Sequence, residues 1–377
     1  GQGFFYAPDP SSQLACAIGG NIAMNAGGAH CLKYGVTSNN LLGVTLVLMD
    51  GTVVELGGVA AEARGLDLLG LVCGSEGQLG IVTEATLRIL PRPEGARPVL
   101  IGFGANEDAG ACVAGIIRAG GLPVAIEFMD RPCIRACEAF AQAGYPDCEA
   151  LLIVEVEGSP AEIEAQMALI RRIAEGHDPV ELRESRTEAE SARIWLGRKA
   201  AFGAMGQLGD YMCLDGVIPV SALPEVLARI GAMSRDFGLR VANVFHAGDG
   251  NLHPLILYDG GVAGELERAE ELAGEIIAMC INLGGSITGE HGVGMEKRRF
   301  MAALPVVVQP FPPRGWGADS PTRRGAWGRG LDRRQPRALV PAASSHSRVA
   351  WPPIDTRTRH ESDRPAIQPH QSRSVSY

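Results

Sequence analysis

The chain has 377 residues, 46% of them hydrophobic, and a formal charge of −9. That length allows two or three domains, the acidic balance argues against general nucleic-acid affinity, and no apolar run approaches the roughly 18 residues of a membrane span. Nine cysteines, an odd number without a CxxC pair, give little support to a zinc-ribbon or disulfide framework and favour a reducing compartment.

In chain order, residues 1–95 read as a glycine-rich sheet. Leu46-Val47-Leu48, the turn Met49-Asp50-Gly51-Thr52 and the return run Val53-Val54-Glu55-Leu56 form an expected hairpin, because Asp-Gly tolerates the backbone angles of a tight turn. Ile81–Leu90 is a further strand, stopped by Pro91 and Pro93. Between them Ser11–Gly28 and Gly65–Gly80 are dense in Gly, Ser and Asn, as a backbone needs for close approach to another group.

From Ala96 the texture changes to alternating strand and helix. Strands are expected at Pro98–Phe103, Val124–Met129, Leu151–Glu157, Val217–Pro219, Val241–Phe245 and Leu255–Tyr258. Helices are expected at Asn106–Ala119, from the Ser159 cap and Pro160 to about Glu175, at Pro224–Phe237 before Gly238, and at Glu265–Leu283 before Gly284-Gly285. Hairpins outnumber βαβ crossings, which points to an α+β fold with helices on one face of a largely antiparallel sheet. Residues 302–377 carry 12 Arg, no Lys and 11 of the 24 prolines. No period survives there, and the segment is expected to be disordered.

The sharpest candidate site is His246-Ala247-Gly248-Asp249-Gly250-Asn251-Leu252-His253. With Asp249-Gly250 as a two-residue turn, His246 lies opposite His253, and two imidazoles about 4.5–5.5 Å apart can share a divalent metal such as zinc. A polar hairpin with half-exposed histidines is the plainer alternative. Thr288-Gly289-Glu290-His291-Gly292-Val293-Gly294 adds a carboxylate, Glu290, that completes a two-His, one-carboxylate set, and an imidazole, His291, suited to accept a proton near neutral pH. Trp195 and Arg198 share a helix face, and the guanidinium is a natural fork for a substrate carboxylate. A surface arginine packed on an aromatic ring is the alternative. Neither Ile18–Gly28 nor Gly74–Glu84 contains a GxGxxG or Walker pattern, so neither a Rossmann site nor a P-loop is indicated.

Together these runs carry a family resemblance. APDPSSQLACAIGGNIAMNAGG, GSEGQLGIVTEATLRILPRP, HAGDGNLH and TGEHGVG resemble the flavin subunits of bacterial glycolate oxidases and the related D-lactate and D-2-hydroxyglutarate dehydrogenases, within the vanillyl-alcohol-oxidase-type flavoproteins. The likeness runs from Gly3 to Met301. It implies part of an FAD-binding domain over residues 1–95, a ferredoxin-like cap domain over 96–301, and a non-native tail over 302–377. By the same likeness Asp9, Ser12, Gly19, Gly20, Asn25, Ala26, Gly27, Glu76, Gly80, Ile81 and Val82 lie near FAD. His246, His253 and Glu290 hold a divalent metal, His291 is the base and Arg198 grips the substrate carboxylate.

The implied reaction is oxidation of a small 2-hydroxy acid, of the glycolate or D-lactate type, to the 2-oxo acid, with hydride passing to the flavin. A second flavin subunit and an iron–sulfur subunit are the implied partners. The implied location is cytoplasmic, with a peripheral place at the inner membrane face as the variant. Gln78 replaces a usual Thr, and Cys213 stands where hydroxyglutarate-type relatives have Lys, which speaks against a second substrate carboxylate. The family's pyrophosphate loop and its C-terminal Asn-Pro-Gly-Lys-like stretch have no counterpart in this sequence. An inactive fragment with an out-of-frame tail is therefore one alternative expectation. A metal-dependent hydrolase built on the same His-His-Glu set is another.

Overall fold

The computed structural model describes residues 3–10, 12–13, 15–59 and 65–304. The expected disordered segment lies outside these residues from 305 onward. Residues 302 and 303 still belong to the 3-10 turn Arg298–Ala303, and Phe300 and Leu304 pack on the main core.

Strands β1 (Leu41–Val47), β2 (Val53–Gly57) and β3 (Ile81–Leu87) form an antiparallel sheet in the order β2-β1-β3. The hairpin read from Asp50-Gly51 is present, with Val47 paired to Val53. Helix α1 (Ile18–Met24) lies against β3 so closely that a Cβ on Gly19 would meet the Val82 carbonyl oxygen at 3.3 Å. Ile22, Leu41, Val44, Leu46 and Val72 make the small core between them.

The larger sheet contains β4 (Gly95–Phe103), β5 (Ala125–Asp130), β6 (Ala150–Gly158), β7 (Glu181–Glu184), β8 (Asp210–Cys213), β9 (Val241–His246) and β10 (Pro254–Tyr258). Its order is β8-β10-β9-β5-β6-β4-β7, and every neighbouring pair is antiparallel. The helices are α2 (Asn106–Arg118), α3 (Arg131–Ala141), α4 (Pro160–Glu175), α5 (Glu188–Gly206), α6 (Leu223–Phe237) and α7 (Glu265–Asn282). Ser159 and Glu162 cap α4 reciprocally, as the Ser-Pro start suggests. Neither α3, capped by Asp130, nor strand β7 is anticipated by the sequence reading.

Helices cover both faces of this sheet, which corrects the expectation of one helical face. On β6, Leu152 and Val154 point into a core with Val113 and Ile116 of α2, Met167 of α4, Ile230 of α6 and Ile276 of α7. Leu151 and Ile153 point the opposite way, into a core with Ile134 of α3 and Ile194 and Met205 of α5. The reason is visible in the run Leu151–Val154: successive side chains alternate between faces, and an unbroken apolar run leaves neither face for water.

Four polar residues interrupt the α3/α5 face: Glu127 on β5, Glu155 and Glu157 on β6, and His246 on β9. Glu157 pairs with Lys33 at 2.9 Å and accepts from the Tyr34 hydroxyl. Glu155 accepts from the Trp195 indole at 3.0 Å and lies 3.4 Å from His30. These acids dock the 30–34 segment onto the sheet, directly beside α5.

Candidate functional site

The centre of the site is set by strand register. His246 ends β9 and stands opposite Glu127 of β5, while on its other side it pairs with Asn251. The pairing His246 to Asn251 and Asn243 to Pro254 puts four residues, Ala247–Gly250, in the turn. The expected two-residue Asp249-Gly250 turn is thus corrected, and His253 is diagonal to His246 rather than opposite it. Residues two apart share a face, so the imidazoles still converge, with ring centroids 5.2 Å apart and planes at 89°. Gly250 makes the turn feasible: its φ is 77°, and a Cβ there would fall 2.1 Å from the Ile218 carbonyl oxygen.

Both histidines are buried, at 4% and 1% exposure, which removes the half-exposed hairpin alternative. Each ring nitrogen has an assigned partner. Nδ1 of His246 lies 2.8 Å from Glu127 Oε1, and Nδ1 of His253 lies 3.0 Å from the Leu214 carbonyl oxygen. The Nε2 atoms of His246 and His253 both face Glu290 Oε1, at 3.1 and 3.2 Å. One donor atom from each of His246, His253 and Glu290 lies within 4.8 Å of the others. Two imidazoles oriented by outer partners, with a carboxylate closing the set, is the donor chemistry of a borderline divalent cation such as zinc. The residues present therefore fit a metal. Cys213, His253 and His291 form a second, overlapping set.

The charges are strongly coupled. Burial by itself would lower the His246 pKa, but Glu127 and Glu290 raise it to about 10. Against the cost of burial, hydrogen bonds and charge from His246 and His253 hold the Glu290 carboxyl far below its ordinary range. Glu127 is likewise held down against its burial, first by Arg198 and then by His246. His291 stacks on His253 with centroids 4.8 Å apart. Burial and the neighbouring His253 lower its pKa, which favours the neutral imidazole.

Arg198 is buried on α5 rather than lying on the surface. Its Nε donates to Glu127 Oε2 at 2.7 Å, and its Nη2 sits 2.6 Å from the same oxygen, out of line for a hydrogen bond and otherwise without an acceptor. The Tyr145 hydroxyl accepts the Arg198 backbone N–H at 2.9 Å and donates to the Ile194 carbonyl at 2.5 Å. A close fit of Gly197 against the Tyr145 ring, 2.3 Å for an added Cβ, brings the helix to that hydroxyl.

Two acids that no motif reveals organise the site. Glu127 bridges His246 and Arg198. Asp215 is fully buried and accepts from Thr288 Oγ1 at 2.5 Å, the backbone N–H groups of Gly289, Glu290 and His291 at 3.0, 3.1 and 2.9 Å, Asn251 Nδ2 at 2.9 Å and Lys297 Nζ at 3.0 Å. Despite burial, the charges of His291 and Lys297 and these donors lower its pKa to about 2. The sequence signal for Glu127 is a lone acid within the apolar strand Ala125-Ile126-Glu127-Phe128-Met129. Asp215 has no comparable signal.

A cavity of about 430 Å³ joins the first part of the chain to this cluster. Of the expected flavin residues, Ser12, Gly20, Ala26 and Gly27 line it, facing Phe202, His253, Glu290 and His291. The wall is small and uncharged on one side and carries the proton-handling groups on the other, and the volume is in the range of ligand sites. This lining fits the reactive end of a flat cofactor. Gly27 is indispensable to the approach, since a Cβ there would lie 2.6 Å from Glu290 Oε2.

The other expected flavin residues lie elsewhere. Asp9 sits 3.7 Å from His30, Asn25 accepts from the Ser38 N–H, and Gly19 packs on Val82. Glu76 turns its carboxylate to the N–H groups of Val293 and Gly294, at 2.6 and 3.0 Å. That clasp holds the Gly74–Gly80 segment to the loop of Glu290 and His291. Gly80 backs onto the Val47 carbonyl, Ile81 is 69% exposed, and Val82 joins the small core.

Comparison with known proteins agrees with this architecture. Residues 92–304 match the family of FAD linked oxidases, C-terminal domain, and residues 1–57 match an FAD binding domain. Glycolate oxidase subunit GlcD of Escherichia coli (strain K12) is 50% identical over 301 residues, covering 79% of this chain and 60% of that protein. D-lactate dehydrogenase of Anaerostipes hadrus is 32% identical over 314 residues, covering 80% and 66%. The chain thus spans about 60% of the GlcD length. Among solved structures, 4-ethylphenol oxidase from Gulosibacter chungangensis superposes with a TM-score of 0.58 at 17% identity, over 74% of this chain and 62% of that one. That likeness shows a shared fold. No helix among the described residues is long and apolar enough to cross a membrane.

Proposed function

The chain belongs to the FAD-linked oxidase family, and on that premise we propose that it carries the substrate-oxidising part of an FAD-dependent 2-hydroxy-acid dehydrogenase acting on a small acid of the glycolate or D-lactate type. The observation that carries this reading is one cavity lined by His253, Glu290 and His291 on one side and by Ser12, Gly20, Ala26 and Gly27 on the other, with His246 completing the cation set through Glu290 at 3.1 Å.

In this reading Arg198 meets the substrate carboxylate, and Glu127 holds the guanidinium in place. His291, whose neutral form its surroundings favour, takes the proton of the 2-hydroxyl. Asp215 fixes the backbone of residues 289–291, so that Glu290 and His291 face the cavity together. Bound FAD would supply the two-electron acceptor for the α-hydrogen, and a divalent cation held by His246, His253 and Glu290 would ease loss of the hydroxyl proton. Phe202 and the small residues of 20–27 exclude water from the reacting atoms. The half-buried thiol of Cys213, pushed up to about 12 by burial, places no cation beside the site, and this favours a substrate with one carboxylate. The name of the E. coli relative describes a subunit, and by analogy we place this chain in an assembly with further subunits.

The test is a visible spectrum of the purified chain incubated with FAD, under anaerobic conditions, with glycolate or D-lactate added. Bleaching of the flavin band by the acid, abolished in His291→Asn, is the expected result. Bound flavin that no 2-hydroxy acid bleaches would reject the substrate class.

A further inference from the structure

A second cavity, of about 600 Å³, opens at the far edge of the large sheet between β7, the end of α4 and the first turns of α5. Arg171, Arg183, Arg186 and Arg193 line it with Glu184 and Glu190. Two of the four guanidiniums are matched. Arg171 Nε donates to Glu184 at 3.0 Å. Arg183 lies 3.0 Å from Glu181 and donates to the Gly144 carbonyl at 2.8 Å. Glu190 is committed to the backbone, accepting the Arg186 N–H at 2.6 Å. Arg193 uses only Nε, on the Ala143 carbonyl at 3.1 Å. Among the described residues, neither Arg186 nor Arg193 has a carboxylate within ion-pair distance.

The cavity therefore presents two unmatched guanidinium forks over an apolar floor of Leu100, Leu182 and Ile194. We propose that it is a binding site for a compact organic dianion, a phosphate ester or a dicarboxylate. Two guanidinium forks lining one cavity suit charged oxygen groups bidentately, and an anionic ligand would add to the partial neutralisation that Glu184 and Glu190 already supply. The apolar floor accommodates the carbon skeleton between the charged ends. Arg171 and Arg183, fixed by their own partners, frame the site and need no rearrangement. The inference is independent of the redox reading, since none of these residues belongs to the His–Glu cluster or its cavity.

The experiment is calorimetric titration of the whole chain with glycerol 3-phosphate and, separately, with succinate, on the parent and on R186A/R193A. Saturable binding of at least one probe, weakening with added salt and by roughly tenfold or more in the variant, is expected. R193K separates the two ligand chemistries: a point charge still serves the phosphate but loses the bidentate carboxylate contact. Both changed side chains are exposed; should the double variant misfold, R193A alone gives the same reading. No saturable binding of either probe at millimolar concentration, or equal binding by parent and variant, overturns the proposal.

Discussion

Glu127 faces His246 across two antiparallel strands, and its one carboxylate holds both that imidazole, through Oε1, and the Arg198 guanidinium, through Oε2. The group proposed to hold a metal and the group proposed to hold the substrate are thereby positioned by the same buried side chain. Outer partners of metal-bound histidines typically account for about 10–100-fold in affinity. Glu127→Gln keeps the shape and loses the charge, and zinc titration should show a fall of that order. Undiminished zinc affinity in the folded variant would refute the bridge.

Asp215 ties together a pH argument and a structural one. Its folded pKa of about 2 lies below the ordinary 3.8, so the native state favours the carboxylate. That stability, about 2 kcal/mol, is fully present above pH 4 and disappears as the pH falls through 2. Asp215→Asn should be less stable than the parent by about that amount at pH 7, with the gap closing in acid. Urea unfolding at pH 7 and pH 3 checks it.

Gly27 and Gly20 line the same cavity but differ in what surrounds them. A Cβ on Gly27 would press on Glu290 Oε2 at 2.6 Å, whereas one on Gly20 meets nothing within 4 Å. Gly27→Ala should displace Glu290 and weaken zinc binding by about tenfold, or about 1.4 kcal/mol. Gly20→Ala, inside α1, should leave zinc binding alone and add about 0.5–1 kcal/mol of stability. Equal zinc affinities for the two variants would contradict the assignment.

Tyr145 holds α5 through one hydroxyl, accepting from Arg198 N–H and donating to the Ile194 carbonyl. Tyr145→Phe leaves the ring against Gly197 and removes both bonds. The expected loss is about 1–3 kcal/mol, the scale for leaving a buried polar group unpaired, seen as a lower urea midpoint. An unchanged midpoint would mean that packing alone seats the helix.

The parts of the site legible from residues alone are those whose information is local. His246, His253 and Glu290 sit in short glycine-bounded runs, and a His pair diagonal across paired strands still shares one face when the turn shifts. The same locality served the hairpin at Asp50-Gly51 and the cap at Ser159, where a few neighbouring residues settle the backbone. What was not legible depended on partners far along the chain. Glu127 meets His246 across a sequence separation of 119 and Asp215 meets His291 across one of 76, and neither has a neighbour that advertises its role.

The amino-acid order by itself determined the family, most of the strands and helices though not α3 or β7, and which side chains are able to bind a cation or take a proton, because spacing, capping and glycine placement act over a few residues. Tertiary structure alone decided the register that sets His246 against Glu127, the covering of both sheet faces, and the contacts with His246 and His253 that keep Glu290 charged against the cost of its burial. Those depend on which distant segments come to lie together in a low-dielectric interior, and no window of sequence contains both partners.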